Sequence, residues 1–274
     1  MRKLIVFTLL VLPAAAFASD RCEHSQPRNL QLDTIGVKAV VFDVGPHNLT
    51  IDGSKGAKGS LQGRACASEA KNLDRLKLTQ QKVGDKLVVT LRREGELWGI
   101  SFGNHYAHLV ISGSVPDNLP VQLKVGSGDA AVTGVASLSA DVGSGDVQAR
   151  RIRGLFSAAV GSGDIDASDV GSLHVVSVGS GDTKVQRVRG TSKVGSIGSG
   201  DFALSDTQGS VEIDSIGSGD AELRDIGGDV VVGSVGSGDV DANGVRGNLT
   251  VRKTGSGSVS HNGVSGRVDT PKRR

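Results

Sequence analysis

The chain has 274 residues, 40 of them glycine and only 3% aromatic, and carries 31 basic against 29 acidic side chains. Arg2 and Lys3 account for the whole excess, so the remainder balances at 29 of each sign, which argues against a nucleic-acid binder, where a basic excess is the rule. Beyond the first residues no apolar run is long enough for a membrane helix, and the chain closes on a charged tail where an outer-membrane barrel would show apolar and aromatic strands.

Residues 1–18 read as a secretory signal. Arg2 and Lys3 form a basic start, Leu4 to Leu12 a short apolar core, and Ala16-Phe17-Ala18 a small-x-small cleavage site. Cys22 lacks the small-residue context of a lipid-anchor signal. Export implies an oxidising compartment, so the only two cysteines, Cys22 and Cys66, are expected to form one disulfide that pins the N-terminal segment. C-x-x-C spacing and a histidine cluster, the marks of a redox or metal pair, do not accompany them.

Residues 19–120 form a segment of loosely patterned strands. Val37 to Val44 and Leu49 to Ile51 flank a Gly45-Pro46-His47-Asn48 turn, and Leu87 to Leu91 and His108 to Ser112 are further strand-like runs. They read as irregular leading coils and a cap. Between them lies the densest aromatic stretch, with Trp98, Phe102 and Tyr106 inside nine residues. It has two readings: a hydrophobic plug folded over one end, or an exposed recognition tip, for which aromatic loop residues make good anchors. His105 and His108 fall three apart, on opposite faces of a strand, and make a poor metal pair.

Residues 121–268 are organised by one motif. Val-Gly-Ser-Gly-Asp, with Ile for Val in two copies, ends at Asp129, Asp146, Asp164, Asp182, Asp201, Asp220 and Asp239, and an eighth copy ends at Ser258 in place of the acid. The steps between these residues are 17, 18, 18, 19, 19, 19 and 19, a period that means a repeat architecture. Apolar residues recur one and three places after the acid, as in Val147 and Ala149, and four places before it, as in Val178, Ile197, Ile216 and Val235. That is the period-2 signature of half-buried strands. A second small residue eight places on, such as Gly190 or Gly209, marks a second corner. Each repeat is therefore strand, turn, strand, turn. The fold expected is all-β: a two-faced parallel β-solenoid with coils of 17–19 residues.

Rival folds fit less well. A triangular helix of hexapeptides needs an apolar residue at every sixth place, and counting from Val142 gives Gln148 and Gly154. A calcium-binding nonapeptide solenoid needs its motif twice per coil. An antiparallel sandwich of hairpins is the remaining alternative. The last repeat turns polar at Thr254, Ser258 and His261, as a terminal coil should, and residues 269–274 form the charged tail.

A signal segment, an early cysteine, loose strands and Gly-Ser-Gly-Asp coils are joined by a Val-Pro-x-x-x-Pro-Val-x-Leu-x-Val lead-in at Val115 to Val125. Together these resemble the bacterial adhesin-type β-strand-repeat family, a domain-of-unknown-function group related to the toast-rack and autotransporter-head domains. The resemblance covers roughly residues 30–268. It implies a non-enzymatic module and brings no catalytic residues with it.

The seven aspartates would stack as a ladder along one edge, where neighbouring carboxylates about 5 Å apart repel. Each is expected to accept backbone N–H bonds in its own turn; the alternative is a calcium ion bridging adjacent rungs, with no other cofactor expected. Gly-Ser-Gly-Asp is not a nucleophile elbow, and it recurs in every coil, whereas a nucleophile is needed once. The functional expectation is an exported, non-catalytic adhesion or partner-binding module of the cell envelope or surface. It would meet a protein or glycan of the periplasm or cell surface, without a spanning anchor of its own. The alternative is an envelope scaffold with no soluble ligand.

Overall fold

The structure is a computed structural model that describes residues 22–95 and 105–271. In the regular region each coil lays one strand in each of two sheets. Val121–Val125 leads into Ala130–Thr133, then Leu138–Val142 into Val147–Arg150, and so on to Val259–Asn262 and Val268–Asp269. Successive coils pair in parallel and in register: Ala130, Val147, Ile165, Thr183 and Phe202 lie one over the next. Two 12-stranded sheets thus face each other across a single apolar core. The two-faced parallel solenoid is the fold that forms, and the antiparallel sandwich is excluded for the regular coils.

The inward residues stack as columns. Val142, Val160, Val178, Ile197, Ile216 and Val235 pair in sequence and all are buried. The drift in coil length has a local cause. Leu138, nine places past Asp129, pairs with Phe156, ten places past Asp146, so one extra residue sits in the second corner. Another enters as a bulge: Val175 pairs with Ala158 and Ser177 with Ala159, leaving Val176 out of the ladder. Gly195, Asp214 and Gly233 continue that bulge in the following coils. Both insertions lie where they do not displace the inward columns, so 17- and 19-residue coils stack together.

The last glycine of each Gly-Ser-Gly-Asp corner is required by close approach. A Cβ on Gly219 would lie 1.9 Å from the carbonyl oxygen of Gly200 in the coil beneath. No side chain fits there without moving backbone.

The N-terminal segment is built differently. Its strands are β1 (His24–Gln31), β2 (Ala39–Gly45), β3 (Asn48–Ser54), β4 (Ser60–Ala67), β5 (Leu76–Val83), β6 (Lys86–Arg93) and β7 (Ala107–Pro116), with a short 3-10 turn at Ala70–Arg75. β2 and β3 form a true coil. They lie parallel to Val121–Val125 and Ala130–Thr133, and the N–H groups of Gly126 and Gly128 donate to the Gly45 carbonyl at 3.0 and 3.1 Å. Gly45-Pro46-His47-Asn48 therefore stands in the place of a Gly-Ser-Gly-Asp corner.

Between β3 and Val121–Val125 the described residues leave the stack and build the cap, and the chain returns beneath it. β6 and β7 add a second parallel layer, on β2 and β3 respectively. β4 and β1 then extend one sheet antiparallel, and β5 the other. The leading coils are thus two parallel layers under an antiparallel lid. Arg28 of β1 reaches across the lid, donating from Nε to Leu76 O at 3.0 Å and from Nη2 to Leu73 O at 2.8 Å. Cys22 and Cys66 are joined in a disulfide, Cα atoms 5.2 Å apart, tying the start of β1 to β4. Among the described residues no helix is long and apolar enough to cross a membrane.

Candidate functional site

The aspartate ladder forms, by a different bond from the one expected. Each of the first six carboxylates accepts the backbone N–H of the aspartate one coil further on, where a bond within its own turn was expected. Asp129 Oδ1 receives Asp146 N at 3.2 Å, Asp164 Oδ1 receives Asp182 N at 2.8 Å, and Asp220 Oδ1 receives Asp239 N at 2.8 Å. Asp146, Asp182 and Asp201 accept in the same way from Asp164, Asp201 and Asp220. The ladder closes on Ser258, whose N–H and Oγ–H both donate to Asp239 Oδ1 at 2.7 Å. An amide between each pair of carboxylates offsets their repulsion. Ser210, Asp229 and Asn248 make a shorter ladder of the same kind at the opposite corner. Both ladders account for themselves as inter-coil fasteners.

Of the aromatic stretch, Trp98 and Phe102 lie outside the described residues. Tyr106 is engaged in the cap. Its hydroxyl accepts the Glu23 N–H at 2.9 Å, its ring packs tilted against His108 with centroids 5.9 Å apart, and its backbone pairs with Ser68. It thus clamps the segment that carries Cys22.

The feature that sequence reading missed lies five places past each ladder residue. Period-2 alternation would turn the sixth residue outward, yet Val170, Val188, Thr207 and Ile226 are buried. The fifth residue makes that possible by adopting a left-handed conformation and dropping out of the ladder: Ser168 pairs with Gln186 and Val170 with Val188, bypassing Asp169 and Arg187. Gly134, Gly244 and Gly263 do this at φ of 75, 70 and 67°. In the five coils between the first and the last two of these, the position is held by Arg151, Asp169, Arg187, Asp206 and Asp225, at φ of 53 to 59°. A left-handed side-chain residue costs on the order of 1 kcal/mol where glycine costs nothing. Sites of such strain concentrate where side chains have work to do.

Four of these five side chains, all but Arg151, line a groove of about 670 Å³ across five coils, from Asp169 to Gly244 and Arg246. The small residues Gly227 and Gly244 are part of its lining. At one end Arg187 grips Asp169 with two bonds, Nε to Oδ1 at 2.7 Å and Nη2 to Oδ2 at 2.9 Å. That pairing holds the Asp169 carboxyl below the usual carboxylate range and raises Arg187. Arg189 is turned toward the cap, donating to Ile152 O and Arg153 O at 3.3 and 3.0 Å. Asp206, Asp225 and Arg246 are exposed and make no side-chain hydrogen bond or ion pair with a described residue. The groove therefore offers carboxylate acceptors and a guanidinium donor outward.

Against known proteins, the profile of one family, Toastrack DUF4097, matches residues 37–271. The chain belongs to the Toastrack DUF4097 family. No curated protein shows a significant match. Among solved structures, a "putative lipid binding protein" from Parabacteroides distasonis is similar at 18% identity, covering 90% of this chain and 97% of its own, with a TM-score of 0.51. A "putative adhesin" from Parabacteroides merdae is 14% identical over 87% of this chain and 96% of its own, with a TM-score of 0.49. A "putative adhesin" from Bacteroides fragilis is 15% identical over 90% and 97%, with a TM-score of 0.45. The first of these likenesses speaks to fold, and none of them assigns a function to this Toastrack chain.

Three charged residues of the groove, Asp169, Asp206 and Asp225, occupy the same repeat position as Gly134, Gly244 and Gly263. That alternation of Asp with Gly, the residue types that tolerate a left-handed backbone, was the available signal in the sequence. Arg151 and Arg187 in the same column mask it.

Proposed function

We propose that this Toastrack chain is an exported, non-catalytic binding module of the cell envelope or surface, and that the groove lined by Asp206, Asp225 and Arg246 is its contact surface. The observation that carries the reading is a column of five charged residues, four of them lining this groove, held left-handed where glycine would serve at lower cost. Elsewhere the aspartate ladder is satisfied by its own coils, and the core columns pack internally. Export is supported by the signal-like first 18 residues and by the Cys22–Cys66 disulfide. The aromatic stretch is a lesser candidate surface, because Tyr106 is committed to the cap.

The test has two parts. Fractionation of the source cells should place the mature chain outside the cytoplasm. Purified protein should be retained on envelope material, and Asp206→Asn with Asp225→Asn should release it while Trp98→Ala should not. Retention that follows Trp98 and ignores the groove would move the contact surface to the aromatic stretch. Retention by neither route would leave the scaffold reading.

A further inference from the structure

We infer that the groove takes a neutral, polyhydroxylated chain, a linear glycan laid along the solenoid axis; this rests on reading the groove as the contact surface. Its charged lining consists of Asp169, Asp206 and Asp225 with Arg187, Arg189 and Arg246, which cancel. A polyanion or polycation laid along such a lining meets repulsion within a Debye length of every attraction. Carboxylates only accept hydrogen bonds and guanidiniums only donate them. A ligand that satisfies both at each step must itself donate and accept, and hydroxyl groups do both. Pairs of neighbouring hydroxyls also match the two-pronged geometry of carboxylate and guanidinium.

The spacing agrees with this. Parallel coils rise about 4.8 Å, so a polymer with a similar repeat presents one unit to each coil, where it meets an acid at Asp169, Asp206 and Asp225 and a base at Arg187. The groups that make no side-chain hydrogen bond with a described residue are placed for it: Asp206 and Asp225 stand on adjacent coils and line the groove together with Arg246, Gly227 and Gly244. Asp169 and Arg187, already bonded to each other, close one end of the track. An extended peptide also donates and accepts along its backbone, but its rise of about 3.3 Å per residue falls out of step with the coils.

The experiment uses the full mature chain and two probes from the same source cells: protein-free envelope polysaccharide, and the protein fraction of the same envelope. The variant is Asp206→Asn with Asp225→Asn, which keeps side chains tolerant of the left-handed backbone; matching melting curves check its fold. Wild type should bind the polysaccharide, and the variant about tenfold more weakly, as loss of charged acceptors predicts. Salt at about 0.5 M should leave that affinity nearly unchanged, since no net charge is matched. Periodate cleavage of vicinal diols in the polysaccharide should abolish binding. If the polysaccharide is ignored while the protein fraction is captured through the groove, the glycan inference falls and the contact surface stands. Equal binding of polysaccharide by wild type and variant also overturns it. If neither probe is held through the groove, the contact surface itself is wrong.

Discussion

In the N-terminal lid nearly every contact is made once. One disulfide ties β1 to β4, one arginine, Arg28, crosses from sheet to sheet, and one buried histidine, His47, fills a corner that glycine fills elsewhere. In the regular coils nearly every contact is made many times: the same column residue, the same corner, the same amide-to-carboxylate bond from Asp129 to Ser258. The lid therefore concentrates its stability in single groups, while the coils distribute theirs over nearest-neighbour interfaces. The contrast teaches where each region is vulnerable. A repeated element fails when a substitution breaks the stacking itself, and the lid fails group by group.

The largest effect is expected from Ile216→Asp. Ile216 is 2% exposed between Ile197 and Val235, so a carboxylate there is buried without a partner and splits the stack. The coils should lose cooperative unfolding altogether, by circular dichroism on heating; an unchanged transition would refute the column as the seat of stability. Next comes Cys22→Ser with Cys66→Ser. The bond closes a loop with a sequence separation of 44 residues, and its loss should cost at most about 4 kcal/mol. Amide exchange should locate that loss in β1 and β4 and leave the coils past Val142 protected. Uniform loss throughout would erase the distinction between lid and coils.

His47 gives a pH-dependent version of the same test. Its Nδ1 accepts the Leu109 N–H at 3.3 Å, so the proton of the neutral ring is on Nε2, which is buried without a partner among the described residues. Burial first, then the nearby His108 and Arg93, push its pKa down to about 4 from 6.5. The unfolded chain therefore takes up a proton at a higher pH than the folded one. Stability from this group is complete above pH 6.5 and declines as pH falls toward 4, by about 3 kcal/mol in all. Denaturant titrations at pH 7 and 4.5 should show the loss in wild type and a flatter profile in His47→Asn.

The smallest effect tests the coils from the opposite side. Asp225→Gly relieves a left-handed side-chain residue at φ 54° and restores what Gly244 does one coil on. Stability should rise by roughly 0.5–1 kcal/mol, measured by chemical denaturation. A loss would mean that Asp225 contributes to folding and is not held there for a ligand.

How far the sequence was legible follows the same division. Val178, Ile197, Ile216 and Val235 declared their column because repetition averages out accident: any one of them is an ordinary apolar residue, but the set at fixed spacing is not. The lid has no second copy to compare with. His47 in a glycine's place, Arg28 bridging two sheets and the antiparallel turn of β4 against β7 each depend on a tertiary neighbour that local pattern does not name. The groove was hidden for another reason. The left-handed fifth position is forced by the need to bury Val170 and Val188, a demand of the closed coil and not of any strand. The charges that exploit it, Arg187 among them, carry no conformational signature of their own. The aspartates showed their spacing in the sequence, but whether each bonded within its coil or across to the next was a matter of stacking.

That cross-coil bond has a direction. Each rung hands an amide to the carboxylate before it and offers its own carboxylate to the rung after. Ser258 gives two donors to Asp239 and has no carboxylate to offer onward. It works as a full stop. Any whole number of coils written ahead of it would find a partner at every rung, and the molecule would lengthen by about 4.8 Å for each, its lid and its terminus unchanged. Reach is thus a quantity this architecture can vary by duplication alone, independently of what either end is made to do.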